Sequence, residues 1–158
     1  MALALTSTAF REGSPIPVKH TCDGADVSPA LSWGGTPRGT AAFAVIANDP
    51  DAPAGTWVHW VLYDLPGSAV QLPENVPKTD TLPDLGGAIQ GRNDFRRTGY
   101  GGPCPPPGPA HRYFFKLYAL DAHLKLGPGA TKQEVEAAMK GHVLGTAQLV
   151  GTYARRKR

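Results

Sequence analysis

Apolar residues along this chain alternate with polar ones or gather in short unbroken runs, and helical spacing occurs once. Residues 3–10 alternate roughly, which predicts a half-buried first strand. Residues 41–48 (Ala-Ala-Phe-Ala-Val-Ile-Ala-Asn) form a continuous apolar run, too short for a core helix. Such a run predicts a strand buried on both faces. Residues 57–65 and 112–120 are rich in aromatic and β-branched side chains, as strands are. Residues 143–153 predict a last strand, with Gly145 and Gly151 bringing backbone close to a neighbour. The helix signal is Thr131-Lys-Gln-Glu134, a capping box in which the Thr hydroxyl accepts from the Glu134 backbone and Glu134 reaches back. Val135, Ala138 and Met139 then make one apolar stripe, and Gly141 is placed to end the helix. Several strands, Gly/Pro turns and so short a helix predict a mainly β fold, an antiparallel β-sandwich with one or two short helices.

Composition sharpens this picture. The 158 residues include 19 glycines and 16 prolines, enough for many turns and few long helices. Three long irregular segments, 12–30, 66–86 and 91–110, separate the strands, and such loops in a compact domain are functional or disordered. With no repeat and no linker-like run, residues 1–154 read as a single domain and 155–158 as a basic tail. The net charge of +3 comes from that tail. Without Arg155, Arg156, Lys157 and Arg158, 12 basic residues face 13 acidic ones. A near-neutral body excludes a nucleic-acid partner, which needs basic residues on a face of the fold. A frayed, solvated terminus is the expectation for the tail. The start lacks the basic region and apolar length of a signal peptide, and no stretch approaches a membrane span. The protein therefore reads as cytoplasmic and not integral to a membrane. Cys22 and Cys104 lack metal spacing; a disulfide between them is open, but two free thiols suit a reducing cytosol better.

Three constellations carry candidate chemistry. Asp49-Pro50-Asp51-Ala52-Pro53 follows a buried strand, and its prolines stiffen a loop that holds two carboxylates. The Ala52–Pro53 bond is the first choice for a cis peptide there. Strand alternation puts Trp57 and His59 on one face and Trp60 on the other. Residues 99–113 join a glycine-rich stretch, whose backbone N–H groups could converge as an anion nest, to a stiff proline run and then His111 and Tyr113 on one strand face. No phosphate loop, dinucleotide fingerprint, zinc-protease helix or serine elbow is present.

These segments resemble the phosphatidylethanolamine-binding protein family, in its short bacterial branch labelled Raf-kinase-inhibitor-like. The resemblance rests on Thr21-Cys-Asp-Gly-Ala-Asp-Val-Ser-Pro29, Asp49-Pro-Asp-Ala-Pro53, Trp57-Val-His-Trp60, Gly99-Tyr-Gly-Gly-Pro-Cys-Pro-Pro106, His111-Arg-Tyr-Phe-Phe-Lys-Leu-Tyr-Ala-Leu-Asp121 and the closing Gly141-His-Val-Leu…Leu149-Val-Gly-Thr-Tyr153. They span nearly the whole chain in order. The resemblance implies a β-sandwich with a small cavity for anions such as phosphate, phosphoryl-ethanolamine or acetate. It implies that Asp49, His59 and His111 line the cavity and that Trp57, Gly102, Pro103 and Tyr113 neighbour it. The branch label implies a kinase-inhibitor-like regulatory role. The chain ends after its last predicted strand, where eukaryotic relatives add a helix that flanks the cavity. Neither lipid binding nor kinase regulation is therefore carried over.

The expected function is a binding module for a small anionic ligand, with no catalytic residue, metal or cofactor. In that reading Asp49 accepts from an imidazole and favours imidazolium, which holds the anion. One alternative is a small hydrolase or isomerase with His59 or His111 as general base and Cys104 as the only candidate nucleophile. Another is a metal site of two His and one Asp. Apolar strands with little helix to cover them also suggest a homodimer.

Overall fold

The computed structural model describes residues 2–155. Nine strands form two antiparallel sheets. The smaller has the order β1-β2-β5, with β1 Ala4–Thr6, β2 Leu31–Gly34 and β5 Gln71–Leu72. The larger has the order β6-β7-β4-β3-β8-β9: Thr81–Leu82, Ala88–Gln90, Trp57–Pro66, Ala42–Asp49, His111–Leu120 and Val143–Tyr153. One helix, α1 at Lys132–Met139, carries the expected capping box on Thr131 and Glu134. Single 3-10 turns lie at Val18–His20 and Pro83–Leu85. The antiparallel β-sandwich read from the sequence is the architecture found.

The centre of the larger sheet explains its sequence. All eight residues of β3 are buried, because both faces are covered. On one face Phe43, Val45 and Ala47 pack with Leu62, Phe115 and Leu117 against Leu5, Leu31, Trp33 and Leu72 of the smaller sheet. On the other, Ala44, Ile46, Val61 and Tyr63 lie under Val135 and Met139 of α1 and the preceding loop. Burying Val135 and Met139 removes apolar surface worth roughly 1.5–3 kcal/mol per side chain. Gly151 leaves no room for a side chain: a Cβ there would lie 2.5 Å from Ile16 Cγ1.

Three details differ from expectation. Cys22 and Cys104 form a disulfide, not two thiols; the two long loops they sit in lie side by side, with Cα atoms 5.4 Å apart. Among the described residues no peptide bond is cis. Ala52 C=O instead accepts from Gly55 N–H at 3.0 Å, a turn with Pro53 in its second position, where a trans proline fits. Arg155 pairs with Asp23 at 3.2 Å and is docked where a frayed terminus was expected. The rest of the basic tail lies outside the described residues. Among those residues no helix is long and apolar enough to cross a membrane.

Candidate functional site

The order β4-β3-β8 gathers three strand ends at one edge. Asp49 is the last residue of β3 and pairs with Trp57, the first of β4, while His111 opens β8 beside them. Side chains from these ends surround a cavity of about 210 Å³. Asp49, Trp57, His59, His111 and Tyr113 line it, together with Ala52, Pro53, Phe95, Cys104, Pro105 and Pro106.

A bulge aims His59. Ala47 pairs with Trp60 but Asn48 pairs with Val58, so β4 carries one residue more than β3 at this point. His59 and Trp60 therefore both face the layer between the sheets, where alternation had placed them on opposite faces. Trp60 packs on Tyr100 and His59 on Tyr113, while Val58 and Val61 share the far face. The neighbouring loop holds the bulge in place. Asp94 accepts from Val58 N–H at 2.7 Å, and Gly101 N–H donates to His59 C=O at 2.9 Å. His59 Nδ1 lies 2.6 Å from the Gly101 carbonyl oxygen, so one glycine grips both the backbone and the ring of His59.

Charge is arranged in two tiers. Asp49, 3 % exposed, accepts from His111 Nδ1 at 2.7 Å and from Asp51 N–H at 2.7 Å. Outside it, Arg112 forks onto Asp51 at 2.8 and 2.9 Å and holds that carboxyl at a pKa of about 2. This exposed pair ties the loop after β3 to the start of β8, and so sets Asp49 against His111. Burial pushes the His59 pKa below its ordinary 6.5, against the pull of the Gly101 carbonyl and Asp49. The imidazole that bonds Asp49 is that of His111, and at His59 burial outweighs the carboxylate. Burial and then the Asp49 charge push the Tyr113 hydroxyl upward, so it stays protonated. Two buried polar atoms of cavity-lining residues, Trp57 Nε1 and Tyr113 Oη, meet no partner at hydrogen-bond geometry, and the Tyr113 hydroxyl lies beside the Asp49 carboxylate. Such atoms cost roughly 1–3 kcal/mol each when left unpaired.

The glycine loop serves a different purpose from the nest expected of it. Gly101 N–H donates to His59, and Gly102 N–H donates to Asp26 at 2.8 Å, so neither is free for an anion. Gly102 and Pro103 do not line this cavity; Gly102 lines a second one of about 320 Å³ behind the loop, with Lys78 and Arg97. Their place is structural. A Cβ on Gly102 would lie 2.2 Å from the His20 carbonyl oxygen, and the Pro103 carbonyl accepts from Cys22 N–H at 3.1 Å. Phe95 was missed by sequence reasoning. It packs edge-on against Trp57 and His59, and its one signal was an aromatic residue inside a long irregular segment.

This arrangement can hold a small polar group between fixed donors and acceptors. The disulfide consumes Cys104, the one candidate nucleophile of the hydrolase or isomerase alternative, whose general base was a pocket His. Among the described residues no group of three or more His, Cys, Asp or Glu side chains converges as a metal site, so the two-His, one-Asp alternative has no geometric support.

Known proteins share both the sequence and the fold. The sequence profile of the phosphatidylethanolamine-binding protein family matches residues 6–154. A UPF0098 protein of Methanothermobacter thermautotrophicus is 52% identical over 151 residues, covering 96% of this chain and 98% of the relative. The crystal structure of E. coli YbcL, described as a member of the mammalian PEBP family, superposes with a TM-score of 0.92 at 33% identity and covers 99% of this chain and 100% of its own. A homologue from Chlamydia trachomatis gives 0.88 at 40% identity, covering 98% of each chain.

Proposed function

Because the chain belongs to the phosphatidylethanolamine-binding protein family, we propose that it is a binding protein that holds a small anionic group, phosphate or a phosphoryl head, in the cavity of Asp49, His59, His111, Trp57 and Tyr113. The observation that carries this reading is the convergence of Asp49, His59 and His111 from three strand ends on one cavity, with each imidazole fixed through Nδ1 by the Gly101 carbonyl or the Asp49 carboxylate. The size suits a head group and little more. Calorimetry with phosphate or phosphoryl-ethanolamine tests it. Wild type binds, whereas His59→Ala and His111→Ala lose binding and keep the fold by circular dichroism. Unchanged affinity in both variants overturns the site.

Two further readings go with this one. We place the protein in the cytoplasm, a reading to which the Cys22–Cys104 disulfide runs counter, and cell fractionation tests it: recovery outside the cytoplasmic fraction overturns the placement. The protein is also read as a homodimer. Both faces of β3 are covered, so the support narrows to β8 and β9, where the outer face around Phe114 is part-exposed and Val143 and Leu144 are exposed. A monomer mass by light scattering at high micromolar concentration ends that reading.

A further inference from the structure

The disulfide joins the first and third of the long irregular segments at the protein surface. Cys22 and Cys104 are both exposed, and neither belongs to a hydrophobic cluster of the core. Exposed bridges are the ones most open to exchange with outside thiols. Cys104 lines both cavities, and Cys22 lines the second. Charge around the two sulfurs is unequal. Arg155 Nη1 lies 3.9 Å from Cys104 Sγ. Through Nη2 the same guanidinium pairs with Asp23 at 3.2 Å, and the Tyr153 hydroxyl donates to Asp23 at 2.5 Å. The residues that follow β9 thus hold a cation against Cys104, whereas Cys22 has the Asp23 carboxylate as its chain neighbour.

When a thiolate attacks a disulfide, the leaving sulfur takes the electron pair of the broken bond, so the better-stabilised thiolate leaves faster. A guanidinium beside a sulfur favours its thiolate. We propose that the Cys22–Cys104 bridge is a thiol-exchange site that small-molecule thiols open in the folded protein, with Cys22 the sulfur attacked and Cys104 the thiolate released beside Arg155. The small thiolate bonds to Cys22 Sγ as the bond between Cys22 and Cys104 breaks. A second small thiolate attacks the small-molecule sulfur of that mixed disulfide, frees Cys22 and departs as the small-molecule disulfide. Two small thiols are oxidised and one bridge is reduced, and the protons they lose pass to the protein sulfurs or to solvent. The stability that the bridge contributes sets how far this reaction runs; exposure and Arg155 set how fast. Cys104 is released into the wall shared by the two cavities, and the chemistry is independent of what either cavity binds.

The rate at which dithiothreitol opens the bridge in the native, bridged protein tests this, read by acid quenching and intact mass. The rate is expected to rise in proportion to dithiothreitol concentration. Arg155→Ala is expected to slow it about threefold, the weight of one exposed charge contact, and Arg155→Lys to restore most of the loss. A rate that levels off with concentration shows that opening waits for the fold to unfold, and a rate unchanged in Arg155→Ala shows that the cation plays no part; either overturns the proposal. This measurement starts from the bridged fold, so it decides even where the reduced chain unfolds. Where circular dichroism shows the reduced chain folded, limiting iodoacetamide at about pH 7 gives a second reading by peptide mapping. Cys104 is expected to be alkylated about threefold faster than Cys22 in the wild type, and the two equally in Arg155→Ala. Equal alkylation in the folded wild type overturns the assignment of Cys104 as the leaving sulfur.

Discussion

The two walls of the cavity differ in what they contribute. Asp49, Trp57, His59, His111 and Tyr113, which carry all its polar side chains, come from β3, β4 and β8. Phe95, Cys104, Pro105 and Pro106, from the loop between β7 and β8, give it an apolar side. On the strand wall, hydrogen-bond register and one bulge set the geometry. On the loop wall no ladder is available, and the chain is held by a disulfide, by Asn93 and Asp26, which bond to Gly99 and Gly102, and by the grip of Gly101 on His59. The chemistry thus sits on the rigid part of the fold, and shape and access sit on the part that needs stapling.

Cutting the staple tests this division most severely. The disulfide joins positions 82 residues apart, and closing such a loop is worth about 4.5 kcal/mol in the chain-entropy account. Cys22→Ser, or reduction of the wild type, is expected to lower the denaturant midpoint by a matching amount. Phosphate affinity should fall as well, because Cys104–Pro106 loses its tether. A midpoint that moves by less than 1 kcal/mol equivalent would show that hydrogen bonds alone hold the loop.

The strand wall breaks at one residue. Asp49→Ala removes the acceptor for His111 Nδ1–H and for Asp51 N–H and leaves both part-buried without it, at a cost of roughly 1 kcal/mol. Phosphate binding is expected to weaken at least tenfold while the loop wall keeps its disulfide. Stability measured alongside affinity separates the two effects.

The smallest effect concerns proton uptake by His59. Its folded pKa lies below 6.5, so the unfolded chain takes up the proton first. The stability this neutral ring contributes is complete above pH 6.5 and declines as pH falls below it. His59→Gln is expected to flatten that decline. Parallel stability curves for variant and wild type down to about pH 5 would show that His59 titrates as it does in the unfolded chain.

What the sequence made legible follows the same division. The unbroken apolar run of β3, the aromatic stretches of β4 and β8 and the capping box of α1 are local patterns with local causes, and each sits where it was expected. The bulge at His59 was hidden because a single extra residue does not disturb an apolar pattern; it shows only when β3 is laid beside β4. The short strands β2, β5, β6 and β7 lack the length for a period. On the loop wall almost every consequential contact is long-range: Cys22 with Cys104, Asp26 with Gly102, Phe95 against Trp57. The glycines did mark a site of close approach, but what approaches them is the protein's own backbone, not a ligand. Which imidazole Asp49 bonds was not legible, because the bulge sets His59 against the Gly101 carbonyl and leaves the carboxylate to His111.

A crystal structure of the wild-type protein grown or soaked with methyl phosphate near pH 5.5 tests the central claim most directly. The account predicts a phosphoryl group in the cavity bounded by β3, β4 and β8, lying among Asp49, His59 and His111. A phosphoryl group found instead beside Lys78 and Arg97 in the cavity behind the glycine loop, with the first cavity holding only water, would contradict it.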